Sequence, residues 1–194
     1  YGCIYIRNDI FCWMLIKILS NSIKYNYCII DGVTNNSKDC RNKLLLNLQS
    51  QSRSRVVGRK HYDLGNDFFG AMLDPAMQYS CAYFKGTTDL ATAQELKMEL
   101  ICKKLALQPG MKVLDIGCGW GGLARFAAEN HGCEVTGITI SEEQKKYADA
   151  HCANLPVQIL QQDYRELEGE YDAIVSVGML EHVGPKNYRT YMET

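Results

Sequence analysis

The chain has 194 residues, 46% of them hydrophobic and 22% charged, with a net charge of −1. That length carries one full domain with its own core, and the near-neutral charge excludes the basic field that draws proteins to nucleic acid. Nine cysteines are scattered without a C-x-x-C pair or a histidine at zinc spacing beside one, so reduced thiols in the cytoplasm are expected.

Residues 1–43 are rich in Tyr, Asn, Ile and Cys and carry no amphipathic period. They read as a divergent or poorly ordered extension that does not pack. The apolar run at 10–19 is too short to span a bilayer as one helix, Lys17 interrupts it, and no small-residue cleavage site follows. Residues 44–110 read as a linker followed by a helical lid on the substrate side. Arg53, Arg55, Arg59 and Lys60 form a solvated face or a modest patch for lipid headgroups. His61–Phe69 leads into a short helix through Leu73, with Asn66 as its N-cap and Asp74-Pro75 as its stop. An aromatic, loop-like stretch follows at Gln78–Phe84. A longer helix then opens at Thr88 or Asp89, carries Leu90, Ala93, Leu96, Leu100, Ile101 and Leu105 on one stripe, and ends at Pro109-Gly110.

From residue 111 the pattern alternates strand and helix. Strands are expected at 112–117, 133–139, 157–161 and 171–177, with helices at 121–130 and after Ser141, and a last one opened by Pro185. This is a doubly wound α/β sheet, here cut off after its fourth strand. Strand 171–177 is expected to be left as an exposed apolar edge.

The most informative stretch is Lys112–Gly122. The apolar Val113, Leu114 and Ile116 read as a buried parallel strand, and Gly117, Gly119, Gly121 and Gly122 follow before a helical pattern begins. A strand turning through glycines into a helix lets a ligand approach backbone amides closely. Asp115 adds a fixed acceptor at the strand's carboxyl end. The spacing also fits G-x-G-x-x-G, but that dinucleotide fingerprint needs an acid at the end of the second strand. The only acid of that strand, Glu134, stands at its other end, and the far end offers Thr139, Ser141 and Gln144. The Asp-x-Gly-x-Gly-x-Gly form suits S-adenosyl-L-methionine better, whose amino-acid tail glycine amides and carbonyls can hold.

With these motifs in hand, the run from about Leu44 to Met192 resembles the cyclopropane-fatty-acyl-phospholipid synthases and the mycolic acid cyclopropane synthases. The matching stretches are His61–Phe69, Gln78–Phe84, Asp115–Gly122, Gly137–Ser141, Gln162–Glu166 and Val175–Tyr188. The resemblance implies a class I S-adenosylmethionine-dependent methyltransferase (Rossmann-like) domain, partial over 111–194. It implies that Gly117, Gly119, Tyr79, Ser80 and Asp115 surround the methionine end of the cofactor. Thr139 and Gln144 would serve the ribose, and Asp163 and Tyr164 the adenine. Cys81 and Glu181 match two ligands of a bicarbonate that acts as base. The family's other two bicarbonate ligands, a His and a Tyr, lie further along than this chain runs.

The implied reaction is methylene transfer to the cis double bond of an unsaturated phospholipid acyl chain. An alkene is a weak nucleophile, so orientation must supply much of the rate, and the cationic path demands a dry, aromatic-lined cavity. The expected setting is cytoplasmic and peripheral to the inner face of the membrane, with no nucleic acid partner and a homodimer for the full-length enzyme. Two other readings stand beside it: a catalytically inactive cofactor-binding fragment, and a related methyltransferase acting on another lipid or small molecule.

Overall fold

The computed structural model describes the backbone of Met14–Ile18 and the whole of residues 65–194. The basic stretch at 53–60 and the first residues of the motif at 61–64 lie outside the described residues.

Among the described residues, strand β1 (Met14–Ile18) precedes helices α1 (Asn66–Met72) and α2 (Leu90–Lys104). The alternating part then runs β2 (Lys112–Ile116), α3 (Gly122–His131), β3 (Glu134–Thr139), α4 (Glu142–His151), β4 (Val157–Gln161) and β5 (Ala173–Val177). Two short helices close it, α5 (Leu180–Val183) and α6 (Tyr188–Glu193), with a 3₁₀ turn at Pro185–Asn187 between them. The four strands and their helices fall where the alternation placed them. Pro185 stands in the first turn of the short helix it was expected to open.

The sheet order is β1-β5-β2-β3-β4. Strands β2 to β5 are parallel, and β1 runs antiparallel to β5, with Met14 opposite Val177 and Ile18 opposite Ala173. Strand 171–177 is therefore not an exposed edge, and part of the N-terminal extension packs after all. The reason lies in Met-Leu-Ile-Lys-Ile, apolar in all but one position. Such a run gains backbone hydrogen bonds by lying along the unpaired side of β5. Because β3 and β4 lie on one side of β2 and β5 on the other, the order reverses at the β5–β2 boundary. Ligands of open α/β sheets bind at the carboxyl ends of the strands beside such a reversal.

Both faces of the sheet are covered, which explains the apolar runs of its strands. Val113, Val135, Ala173 and Val175 meet α2 and α3 in one core, through Met98, Ile101, Leu105, Leu123 and Ala127. Leu114, Ile116, Ile138 and Ile174 meet Tyr164, Val183 and Tyr191 in a second core on the other face. Tyr191 donates to Ser176 Oγ, which donates in turn to the Ile116 carbonyl at 2.8 Å, so α6 is tied to the ends of β5 and β2.

Two local expectations are corrected. Asn66 begins α1 but does not cap it: its side chain accepts from Trp120 Nε1 at 2.8 Å, and the cap position falls to Gly65. The buried face of α2 carries Ala93, Gln94, Lys97, Met98, Ile101 and Cys102, while Leu90 is 42% exposed. The helix ends at Lys104, ahead of Pro109-Gly110. Its start is as read, with Asp89 accepting from the Thr92 amide at 2.8 Å.

After α1 the chain turns sharply. The Asp74 carboxylate accepts from the amides of Ala76 and Gln78 at 2.9 and 2.8 Å, and this turn presses the Ala76 carbonyl onto the start of α3. A side-chain carbon on Gly122 would fall 2.0 Å from that carbonyl oxygen, so only glycine fits. Gly70, on the exposed side of α1, has open space at the same position. We expect Gly122→Ala to lower stability by about 1–3 kcal/mol, as overpacking does. Gly70→Ala should raise it by roughly 0.5–1 kcal/mol. Urea denaturation of the two variants checks the pair of opposite signs.

Candidate functional site

The turn after β2 is shaped by its glycines. Gly117, Gly119 and Gly121 have φ of +81°, +56° and +83°, which other residues adopt only under strain. The amides of Gly117 and Cys118 both donate to the Ile138 carbonyl, at 3.0 and 2.9 Å, so the turn is pinned to β3. Gly137 opposite it must also be bare: a side-chain carbon there would meet Cys118 at 3.0 Å and Ile159 at 2.9 Å. Gly117 and Gly119 stay partly exposed, so the turn presents its backbone outward.

A second wall comes from the loop after β5. Gly178, at φ +69°, turns that loop back toward the glycine turn. Met179 packs against Gly117, where an added side-chain carbon would find it at 3.4 Å. The same construction at Gly178 would touch Glu181 Oε1 and Ser80 Cβ, each at 3.8 Å. Ser80 and Glu181 therefore border one point, no more than twice that distance apart. Cys81, the next residue along, is exposed, as is Glu181. Of the expected residues, the structure thus brings Gly117, Ser80 and Glu181 to the carboxyl ends of β2 and β5, with Cys81 adjoining Ser80 in the chain.

Tyr79 belongs to an aromatic group with Phe69 and Trp120. Its ring centroid lies 5.5 Å from Phe69 and 6.4 Å from Trp120, and Phe69 and Trp120 are 4.7 Å apart. Phe69 and Trp120 are buried, while Tyr79 is 61% exposed. This cluster docks α1 on the glycine turn, and the Asn66 bond to Trp120 fastens the same contact. Asn66 also donates to the Glu143 carbonyl at 3.4 Å, which reaches the first turn of α4.

At the end of β3 the Thr139 hydroxyl donates to Gln144 Oε1 at 2.7 Å and accepts from the Ser141 amide at 3.2 Å. Ser141 caps α4 by accepting from the Gln144 amide. Thr139 and Gln144 act as one buried unit in which the Gln144 carboxamide keeps its N–H groups for another acceptor. Past β4, Asp163 is held in a bidentate pair with Arg165, at 2.8 and 3.1 Å, and caps its own 3₁₀ turn. Tyr164 packs edge-on to Tyr191 in the second core, centroids 5.0 Å apart. Among the described residues its hydroxyl is buried without a hydrogen-bond partner.

Asp115 departs most from an open acceptor. It is 3% exposed and, by strand alternation, faces the α2 side of the sheet with Val113. Burial pushes its carboxyl from the ordinary 3.8 up to about 7, against the attraction of Lys97. Lys97, also buried, donates from Nζ to Ser80 Oγ at 2.8 Å. Gln94, one turn earlier, donates to the carbonyls of Gln78 and Ser80 at 3.3 and 3.0 Å. Both are polar residues on a helix, outside the apolar stripe expected there. Their signal is spacing alone: positions 94 and 97 fall within the arc of Ala93, Met98 and Ile101.

Comparison with known proteins first defines the class. The fold is that of the S-adenosylmethionine-dependent methyltransferases. Coclaurine N-methyltransferase, solved with N-methylheliamine and SAH, superposes with a TM-score of 0.52 at 26% identity, over 69% of this chain and 44% of that one. Mycolic acid cyclopropane synthase CmaA1, solved with SAH and CTAB, superposes with a TM-score of 0.68 at 38% identity, over 71% of this chain and 50% of that one. The chain belongs to the mycolic acid cyclopropane synthetase family, whose profile matches residues 49–194. It is 61% identical over 147 residues to the cyclopropane-fatty-acyl-phospholipid synthase of Escherichia coli K12, across 76% of this chain and 38% of that enzyme. The chain thus spans less than half the length of that relative.

The raised Asp115 carboxyl has a measurable consequence. As pH rises above the ordinary carboxylate value, the unfolded chain releases this proton while the folded chain keeps it to about 7. Folding is therefore opposed increasingly across that window and by a constant amount above it. Asp115→Asn removes the titration. Its stability relative to wild type should rise between pH about 4 and about 7 and then level off. Chemical denaturation across pH checks this, and a flat difference would mean an ordinary, solvated carboxyl.

Proposed function

We propose that the protein binds S-adenosyl-L-methionine in the crevice between the glycine turn and the loop after β5, and uses it in cyclopropane synthesis on unsaturated phospholipid acyl chains. The observation that carries this is the convergence of Ser80 and Glu181 beside Gly178, next to the glycine turn and at the reversal of strand order. Family membership supports this reaction class, and the convergence supports the crevice as its site.

The donor set suits the cofactor. Gly117 and Gly119 leave bare backbone for the methionine end, and Ser80 offers a hydroxyl and Tyr79 an exposed ring beside it. Gln144, oriented by Thr139, presents N–H donors to ribose hydroxyl oxygens, in place of the acid that a dinucleotide site would use. Asp163, held by its pair with Arg165 just past β4, is our candidate for the adenine amino group, with Tyr164 bracing that turn from the core. Asp115 acts from beneath the turn through Lys97. When bound, the cofactor supplies an electrophilic methyl group on a positively charged sulfur.

The residues of this chain would then hold and orient. The glycine turn fixes the methionine end, so the methyl faces one direction, and positioning of this kind is worth roughly 7–11 kcal/mol to a weak nucleophile. In this reading Cys81 and Glu181 hold a bicarbonate as the base that takes the departing proton. Cys81 donates from sulfur, and Glu181 accepts from the anion's hydroxyl. Phospholipid substrate places the protein at the membrane surface, peripheral to the inner face, and a homodimer remains part of this reading. Among the described residues no helix is long and apolar enough to cross a membrane.

Lipid mass spectrometry on cells expressing the protein tests the reaction. A synthase adds one methylene to an unsaturated acyl chain and removes the alkene. Methyl addition without ring closure points to a related methyltransferase, and calorimetric SAH binding without any lipid product points to a cofactor-binding role alone. Glu181→Gln should lower product formation by about a hundredfold or more, the usual scale for a proton-transfer group. Its SAH affinity should stay within about twofold of wild type, because the residue serves the base.

A further inference from the structure

Lys97 and Gln94 lie one turn apart on the buried face of α2, and both reach the segment that carries Tyr79, Ser80 and Cys81. Gln94 fixes the backbone of that segment through two carbonyls. Lys97 does something different, because it reaches the Ser80 side chain. An ammonium group has three protons to give and no lone pair. Ser80 Oγ must therefore accept from Lys97, which leaves the single hydroxyl proton for an acceptor elsewhere.

A buried ammonium is expensive to desolvate, and an aliphatic side chain would fill the same place on α2 more cheaply. Asp115, at the end of β2, attracts Lys97 across from α2. A charge held in this way behind a hydroxyl sets the direction of that hydroxyl's proton. The crevice side of Ser80 is where Gly178 and Glu181 lie. An acceptor-only group brought there, such as a carboxylate, meets a hydroxyl already turned to donate.

We infer that Lys97 is a positioning residue that makes Ser80 an obligate donor to the carboxylate at the amino-acid end of the bound cofactor. The inference rests on the cofactor reading above. It adds that a residue of α2 determines how that end is recognised.

Two ligands separate this role from a general structural one. SAH carries the amino-acid tail. Methylthioadenosine keeps the nucleoside and the sulfur and lacks the tail. With the whole chain in a calorimeter, Lys97→Met should weaken SAH about tenfold, the scale of a lost hydrogen bond to a charged group. Methylthioadenosine should stay within about twofold. Ser80→Ala should lose the same factor for SAH, and the double variant no more than either alone, since both changes break one chain of contacts. Equal weakening of both ligands overturns the inference, as do losses that multiply in the double variant or an unchanged SAH affinity. Should Lys97→Met lose its cooperative melting transition, Lys97→Gln replaces it. Its carboxamide can accept the Ser80 proton, so the same selective loss is expected. Wild-type protein that binds methylthioadenosine but shows no added affinity for SAH overturns the inference and leaves the nucleoside site standing. Wild-type protein that binds neither overturns the cofactor reading as well.

Discussion

The packing of the Asp74–Ser80 segment across the start of α3 is the contact on which the rest of the site depends. A carbonyl oxygen seated where any side chain at residue 122 would stand brings two backbones closer than ordinary helix packing permits. That proximity draws the segment over the glycine turn and delivers Tyr79, Ser80 and Cys81 to the carboxyl end of the sheet. The glycines thus serve two purposes. Those at 117 and 119 open the turn to a ligand, and the one at 122 admits the chain's own neighbouring segment.

The wall around this point is assembled from distant parts of the sequence. Ser80 comes from the segment before α2, Lys97 from α2, Asp115 from β2 and Glu181 from α5. None of these elements holds its side chain in place alone. Gln94 and Lys97 anchor the segment from behind, Asp74 sets its turn, and the Tyr191–Ser176–Ile116 chain of hydrogen bonds keeps the ends of β5 and β2 together. Asp115 shows how burial changes a residue's use. In an open position it would be a charged acceptor, but enclosed on the α2 side its carboxyl holds its proton to about 7 in spite of the attraction of Lys97.

Much of this was legible in the order of residues. Strand–glycine–helix alternation is a local signal, and β2 to β5 stand where it placed them. The Ser141 cap and the Asp89 cap were equally readable, because a capping side chain acts within its own turn. Long-range use of polar groups was not. Asn66 reads as a cap, but Trp120, far along the chain, takes its side chain instead. Gln94 and Lys97 stand outside the apolar stripe read for α2 and are buried, because their partners belong to a segment whose course no helical period reveals. The covering of β5 was missed for a related reason. Strand pairing depends on where two runs meet in space, and the partner run stands near the other end of the chain.

That last pairing has a consequence for biosynthesis. Met14 lies opposite Val177, 163 positions later in the chain (177 − 14), so β1 is made well before the strand it pairs with. At 5–20 residues per second, it must wait roughly ten to thirty seconds on the ribosome before its partner exists. Throughout that interval a run with a single lysine among its apolar residues has no ladder to join. For that interval the growing chain carries an unpaired, mostly apolar segment, a template that a strand of another chain could join.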